Sequence, residues 1–338
     1  MFFRQSKLVV EMRELRYNPL TGQWVMVSAV RRKRPWRPRN FCPFCPGNEE
    51  TGYGWEVLLL PNRFPMLSFD APRPERDGFY RKARALGQCS VIVETPEHDL
   101  GDLDELSLDA MTLVVELWKN ITAELKKNPR VAYVSIFRNK GKEIGVSLTH
   151  PHGQLYATPF IPLKVRLKIE NSRGYFKRTG ECLFCRILRE ELESERAIYE
   201  NESFAIFLPF FANWPFEVHI YPKRHVQWLT QLTEEELKDL ADALRTATGT
   251  LNTILERGMP YTMMVYQAPF KGNYNFYHLH IEFYPILREN GRIKYAAGIE
   301  MGTWDFTYDG IPEENAEKLK GACRKVVKRI GARGRCFT

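Results

Sequence analysis

Two Cys-x-x-Cys knuckles, Cys42–Cys45 and Cys182–Cys185, hold four of the chain's seven cysteines, and six of its seven histidines follow them in a repeated order. After the first knuckle come His98 and then His150 and His152; after the second come His225 and then His278 and His280. Cys182 lies 140 residues after Cys42, His225 127 after His98 and His278 128 after His150, so one ligand order is written twice. Two thiolates and two imidazoles suit a tetrahedral Zn²⁺. The expected cofactor is therefore zinc, two ions per chain at about four ligands each. Cys42, Cys45, His98 and His150 would hold the first, and Cys182, Cys185, His225 and His278 the second. A thioredoxin-type redox pair would open a helix after a strand, whereas Cys42 and Cys45 lie in a stretch rich in proline and glycine. Cys89, Cys323 and Cys336 read as ordinary single thiols, because structural disulfides are disfavoured in a cytosolic chain.

His152 invites different chemistry. On a strand, residues two apart share a face, so His150 and His152 would enter one site. Upstream, residues 131–137 are β-branched and aromatic and read as a strand. Asn139, Lys140 and Gly141, then Gly145, Val146 and Ser147, form a polar loop whose glycines suit close approach by a phosphate. A strand, a glycine loop and a two-histidine strand together suit an anionic substrate. The plainer alternative, two histidines satisfied inside a core, is outweighed by the repeat.

The bulk properties narrow the partners. The chain of 338 residues is 44% hydrophobic with a formal charge of +8, and no apolar run approaches the roughly 18 residues that span a bilayer. Its dense basic run, Arg31 to Arg34, fits a small phosphorylated molecule as well as a polynucleotide. We therefore expect neither nucleic acid nor membrane as partner. Residues 1–11 carry an early acidic residue and no small-residue cleavage site, which predicts a soluble, cytoplasmic protein.

The elements that must position these residues alternate. Strands are expected at 24–28, 57–60 and 90–93, followed by a helix capped by Ser107 and running to Leu125. The second half offers strands at 205–208 and 217–221, and a helix opened by a Thr233–Glu236 capping box that runs to about Arg257. Strands at 261–266 and 278–284 follow, and the linker between the halves falls near 159–180.

These motifs resemble the histidine-triad superfamily, and within it the galactose-1-phosphate uridylyltransferase family. The resemblance rests on the run Arg-Arg-Lys-Arg-Pro-Trp at 31–36, Cys-Pro-Phe-Cys at 42–45, Gly-Val-Ser at 145–147 and His-Pro-His-Gly-Gln at 150–154. In the second half it rests on Pro-Lys-Arg-His at 222–225 and Gly-Ile-Glu-Met at 298–301. It implies an α+β fold of two tandem histidine-triad-like domains, 1–165 (catalytic) and 166–338. Their antiparallel sheets with flanking helices would form a half-barrel. It implies that His152 takes UMP from UDP-glucose, releases glucose-1-phosphate and passes the group to galactose-1-phosphate, with Gln154 and Ser147 acting beside it. Hydrolytic relatives have histidine where this chain has Gln154, which donates a hydrogen bond but does not titrate.

By matching position, the resemblance assigns Arg31 and Arg34 to phosphates, and Asn62 to the nucleotide. Asn139, Gly145 and Ser147 go to the α/β-phosphates, and Lys294 and Glu300 to the hexose, the last two coming from a homodimer partner in some relatives. Some relatives carry iron where this chain has Lys168, Tyr266, His280 and Glu282, so no iron is expected, and His280 reads as vestigial or structural. Around Glu300 the chain also resembles nucleotide-sugar phosphorylases of the same superfamily, which use inorganic phosphate as acceptor. That is the alternative enzyme reading. A zinc-stabilised binding module without turnover is the non-enzyme alternative, opposed by the intact His152 and Gln154.

Overall fold

The structure is a computed structural model and describes residues 12–33, 41–76, 78–255 and 258–338. The first half contributes seven strands: β1 (Arg13–Asn18), β2 (Gln23–Ser28), β3 (Leu58–Pro61), β4 (Lys82–Arg84), β5 (Gln88–Val93), β6 (Tyr133–Lys140) and β7 (His152–Thr158). Helix α1 (Leu108–Lys126) precedes β6, and Ser107 caps it by accepting from the Ala110 N–H. Between the halves stand α2 (Leu163–Thr179) and α3 (Leu183–Leu192). The second half has β8 (Ala197–Glu200), β9 (Phe204–Phe207), β10 (Val218–Pro222), α4 (Glu234–Ile254), β11 (Tyr261–Tyr266) and β12 (His280–Pro285). The Thr233–Glu236 capping box opens α4 as expected. A short hairpin, β13 (Leu287–Glu289) and β14 (Arg292–Ile293), leads to α5 (Gly298–Gly302), α6 (Pro312–Ile330) and β15 (Arg335–Cys336).

Ten strands make one open antiparallel sheet in the order β15-β8-β9-β10-β12-β11-β6-β7-β5-β3. Read inward from β3 and from β9, the two halves give the same sequence of strands and meet where β6 pairs with β11, Tyr261 opposite Lys140 and Val265 opposite Ile136. The expected half-sheets are thus fused edge to edge, without closing into a barrel. One apolar core runs across the join, taking Trp118 and Val115 from α1, Leu240 and Leu244 from α4, and Ile136 and Ile281 from the sheet. Burying large aliphatic and aromatic groups from both halves together stabilises their union at about 25 cal/mol per Å² of apolar surface.

The stretch between the halves, near 159–180, is mostly helix: 163–179 form α2, with Pro162 at its N-cap and Gly180 ending it in the left-handed conformation. One expectation is corrected. Cys323 and Cys336 are not single thiols: they form a disulfide that ties β15 to α6, and β15 covers the edge strand β8. No helix among the described residues is long and apolar enough to cross a membrane.

Candidate active site

Both Cys₂His₂ sets assemble, each with its four donor atoms within 4.8 Å of one another. Cys45 Sγ lies 3.3 Å from His98 Nδ1 and 3.7 Å from His150 Nδ1, and Cys42 Sγ lies 3.7 Å from His150 Nδ1. In the second set Cys185 Sγ lies 3.2 Å from His225 Nδ1 and 3.5 Å from His278 Nδ1, with the two Nδ1 atoms 3.3 Å apart. A tetrahedral zinc has S···N edges of about 3.6 Å and N···N edges of about 3.4 Å. The donor chemistry and spacing therefore fit an ion of that size in both halves. Beyond the donors, His150 Nε2–H donates to the Thr95 carbonyl at 2.8 Å and His278 Nε2–H to the Pro222 carbonyl at 2.9 Å. Thr95 and Pro222 each stand three residues before the third ligand of their set, so the supporting bond is repeated as well. Burial depresses the pKa of His150 and of His278, keeping the neutral form that can ligate a metal.

The two histidines of each pair divide the work. His150 precedes the strand and turns into the metal cluster, fully buried, while His152 opens β7 and is partly exposed. His152 Nδ1 is 2.8 Å from the His150 carbonyl oxygen, which can only accept. Nδ1 therefore carries the proton and Nε2 presents its lone pair. The Phe44 ring, centroid 5.0 Å away, braces the imidazole.

His280 repeats this arrangement up to one atom. Its Nδ1 is 2.9 Å from the His278 carbonyl, and the Phe184 ring stands 4.8 Å off. Its Nε2, however, accepts from the Lys168 ammonium at 2.7 Å, and the whole ring is buried against Tyr266. Burial, then the Lys168 charge, pushes its pKa down to about 3. Lys168 also ion-pairs with Glu282.

His152 lines three cavities, one of about 600 Å³ that also takes in His98, Asn139, Lys140 and Ser147, and two smaller clefts. The first of these clefts, about 270 Å³, has apolar walls from Phe44, Leu60, Phe64 and Val91, with Asn62 at its side. The second, about 220 Å³, is lined by Arg31, Asn139, Gly145 and Tyr156. Ser147, His152 and Gln154 line both. Gly141 and Gly145 adopt φ of +101° and +80°, a conformation that glycine takes without strain, so the loop between them turns tightly past the cleft. Arg31 reaches the site from a short 3₁₀ turn, Ala29–Lys33, and donates to the Tyr156 hydroxyl at 3.2 Å.

Seven of the residues expected at the substrate thus converge: Arg31, Asn62, Asn139, Gly145, Ser147, His152 and Gln154. Arg34 lies outside the described residues. Lys294 and Glu300 do not join them within one chain. Lys294 is buried and donates to the Asn213 carbonyl, and Glu300 accepts from the Thr307 hydroxyl. Sequence reasoning missed Phe44, Phe137 and Tyr156 as cleft walls. The aromatic residue shared by Cys-Pro-Phe-Cys and Cys-Leu-Phe-Cys was the available signal for the first.

Fold and site together define a duplicated α+β protein with two Cys₂His₂ clusters and one accessible histidine set beside an anion-compatible cleft. Residues 5–162 match the family model described as galactose-1-phosphate uridyl transferase, N-terminal domain, and residues 168–330 match its C-terminal domain. A galactose-1-phosphate uridylyltransferase of Thermotoga maritima is 41% identical over 314 residues, covering 91% of this chain and 98% of its own. A solved uridylyltransferase structure superposes with a TM-score of 0.87 at 44% identity, over 92% of this chain and 99% of that one. An ADP-glucose phosphorylase from Arabidopsis thaliana superposes with a TM-score of 0.73 at 25% identity, over 91% and 99%. The chain belongs to the galactose-1-phosphate uridylyltransferase family.

Proposed function

We propose that this chain transfers UMP from UDP-glucose to galactose-1-phosphate by two displacements through a uridylyl-histidine on His152. The observation that carries the reading is the fixed tautomer of His152, whose Nε2 lone pair stands where the apolar and polar clefts join. In the first displacement Nε2 attacks the α-phosphorus and the bond to the bridging oxygen breaks, releasing glucose-1-phosphate. In the second, a phosphate oxygen of galactose-1-phosphate attacks the same phosphorus and the P–N bond breaks, returning free His152. Both leaving groups are weak bases, so a strong general acid is unnecessary. Gln154 donates to a phosphoryl oxygen and carries no titrating proton that would ready a water molecule.

Asn62 and the Phe44 wall take the nucleoside. Arg31 and Arg34, with Asn139, Gly145 and Ser147, hold the phosphates by charge-assisted and backbone contacts. Zinc, when bound, would supply a structural cross-link between the Cys42–Cys45 turn, the His98 loop and His150. The Cys182, Cys185, His225 and His278 cluster would do the same for the second half.

The segment bearing Lys294 and Glu300 also exposes Tyr295, Ile299, Met301 and Trp304, and Trp304 holds the uncommon φ of +66°. Such an apolar patch fits a homodimer in which one protomer's segment completes its partner's hexose site. Mixing His152→Asn with Glu300→Ala chains should then restore partial activity, and mixtures as inactive as their components would contradict it.

A panel of acceptors tests the reaction itself. With UDP-glucose as donor, galactose-1-phosphate should be consumed and inorganic phosphate should not. Phosphate-dependent release of ADP from ADP-glucose, without uridylyl exchange, would make the chain a phosphorylase instead.

A further inference from the structure

The buried carboxylate of Asp102 lies in the loop that follows His98, where it accepts three hydrogen bonds and forms ion pairs with two cations. Arg138 Nη1, the Tyr261 hydroxyl and the Leu103 N–H reach Oδ1, each at 2.8 Å. Lys140 Nζ at 2.9 Å and Asn252 Nδ2 at 3.0 Å reach Oδ2. Arg138 and Lys140 flank Asn139 on β6 and, by strand alternation, project from the face opposite to it. We propose that Asp102 is a positioning residue for the uridylyl transfer, clamping Arg138 and Lys140 so that Asn139 and the glycine loop after it are held at the phosphate site.

Three observations support this. First, Asn139 lies in the cleft beside His152, with its Oδ1 accepting from Thr262, so its backbone position depends on the two residues that Asp102 grips. Second, the clamp extends behind the nucleophile. Arg138 sits opposite Gly153 in the β6–β7 register and pairs through Nε with both oxygens of Glu94, at 2.8 and 3.1 Å. The Glu94 N–H donates to the Pro151 carbonyl at 3.2 Å, between the two histidines, and a side chain on Gly153 would meet Glu94 Oε1 at 3.3 Å. Third, the charge is permanent. Burial alone would raise the Asp102 pKa, but Arg138 and Lys140 overcome it and hold it at about 2. The same carboxylate thus ties the His98 loop, the phosphate-facing strand and, through Asn252, helix α4 of the second half.

The inference rests on the uridylyltransferase reading, and single-turnover kinetics on the full-length, metal-replete chain tests it. Asp102→Asn keeps the shape and removes the charge. Release of glucose-1-phosphate from saturating UDP-glucose should slow by about ten- to a hundredfold, with metal content unchanged. Lys140→Met loosens one arm of the clamp and should slow the same step, whereas Lys140→Arg, which keeps the charge, should restore most of it. That pair carries the test if Asp102→Asn fails to fold. Folded Asp102→Asn or Lys140→Met chains with the unaltered single-turnover rate overturn the inference while the transferase reading stands. An unmodified chain that releases no glucose-1-phosphate overturns both.

Discussion

His152 and His280 begin matching strands, donate through Nδ1 to matching carbonyls and lean on matching phenylalanines, yet His152 is partly exposed and His280 fully buried. Nε2 of His280 accepts from Lys168, which together with the more exposed Lys164 pairs with the buried Glu282. His152→Asn keeps the ring-sized shape and leaves every metal ligand in place. It should lower uridylyl exchange by on the order of 10³-fold or more with unchanged metal content and melting temperature. An active His152→Asn enzyme would remove the covalent mechanism.

The two Cys₂His₂ clusters act at the scale of elements, each bringing together a knuckle, a loop and the start of a histidine strand. The first lies two residues from the nucleophile; the second opens α3 at Cys182, next to the plugged histidine. Metal analysis should find two zinc ions per chain at about four ligands each, and no iron. Cys182→Ser should lower the melting temperature by on the order of 10 °C while changing the rate constants at moderate temperature little. A larger loss of rate than of stability would assign the second cluster to catalysis.

Legibility in the sequence divided along physical lines at this scale. The eight ligands and the caps of α1 and α4 were readable, because tetrahedral ions and orphaned helix-end N–H groups demand particular residue types at fixed spacing. Helix α2 was not, since only Val165, Ile169 and Ser172 of its seventeen residues are buried and no apolar stripe marks it. Pro162 and Gly180 mark its two ends. The Asp102 network was equally hidden, because its partners come from β6, β11 and α4, far apart in the chain.

At the scale of the molecule, the join between halves and the seal at the sheet's far edge come from tertiary contacts that no local pattern announces. β6 pairs with β11 across the pseudo-symmetry, so the strand before the phosphate loop is held by the silent half. At the other end the Cys323–Cys336 disulfide fixes β15 over β8, covering backbone groups that would otherwise invite pairing with another chain. The bond needs the C-terminal strand to return to α6, a tertiary contact that the spacing of Cys323 and Cys336 does not encode. Cys336→Ser should cost about 3 kcal/mol for a loop of this length, read as a melting point lower by several degrees with kcat unchanged. An unchanged melting temperature would mean that the tail is held by its other contacts.

The most direct test of the whole account is intact-mass and peptide-mapping spectrometry of the full-length enzyme mixed with UDP-glucose and no acceptor. The account predicts one uridylyl group per chain at about stoichiometric level, attached to His152 and discharged on adding galactose-1-phosphate. A chain that releases glucose-1-phosphate with no adduct, or with the adduct on a residue other than His152, would contradict it.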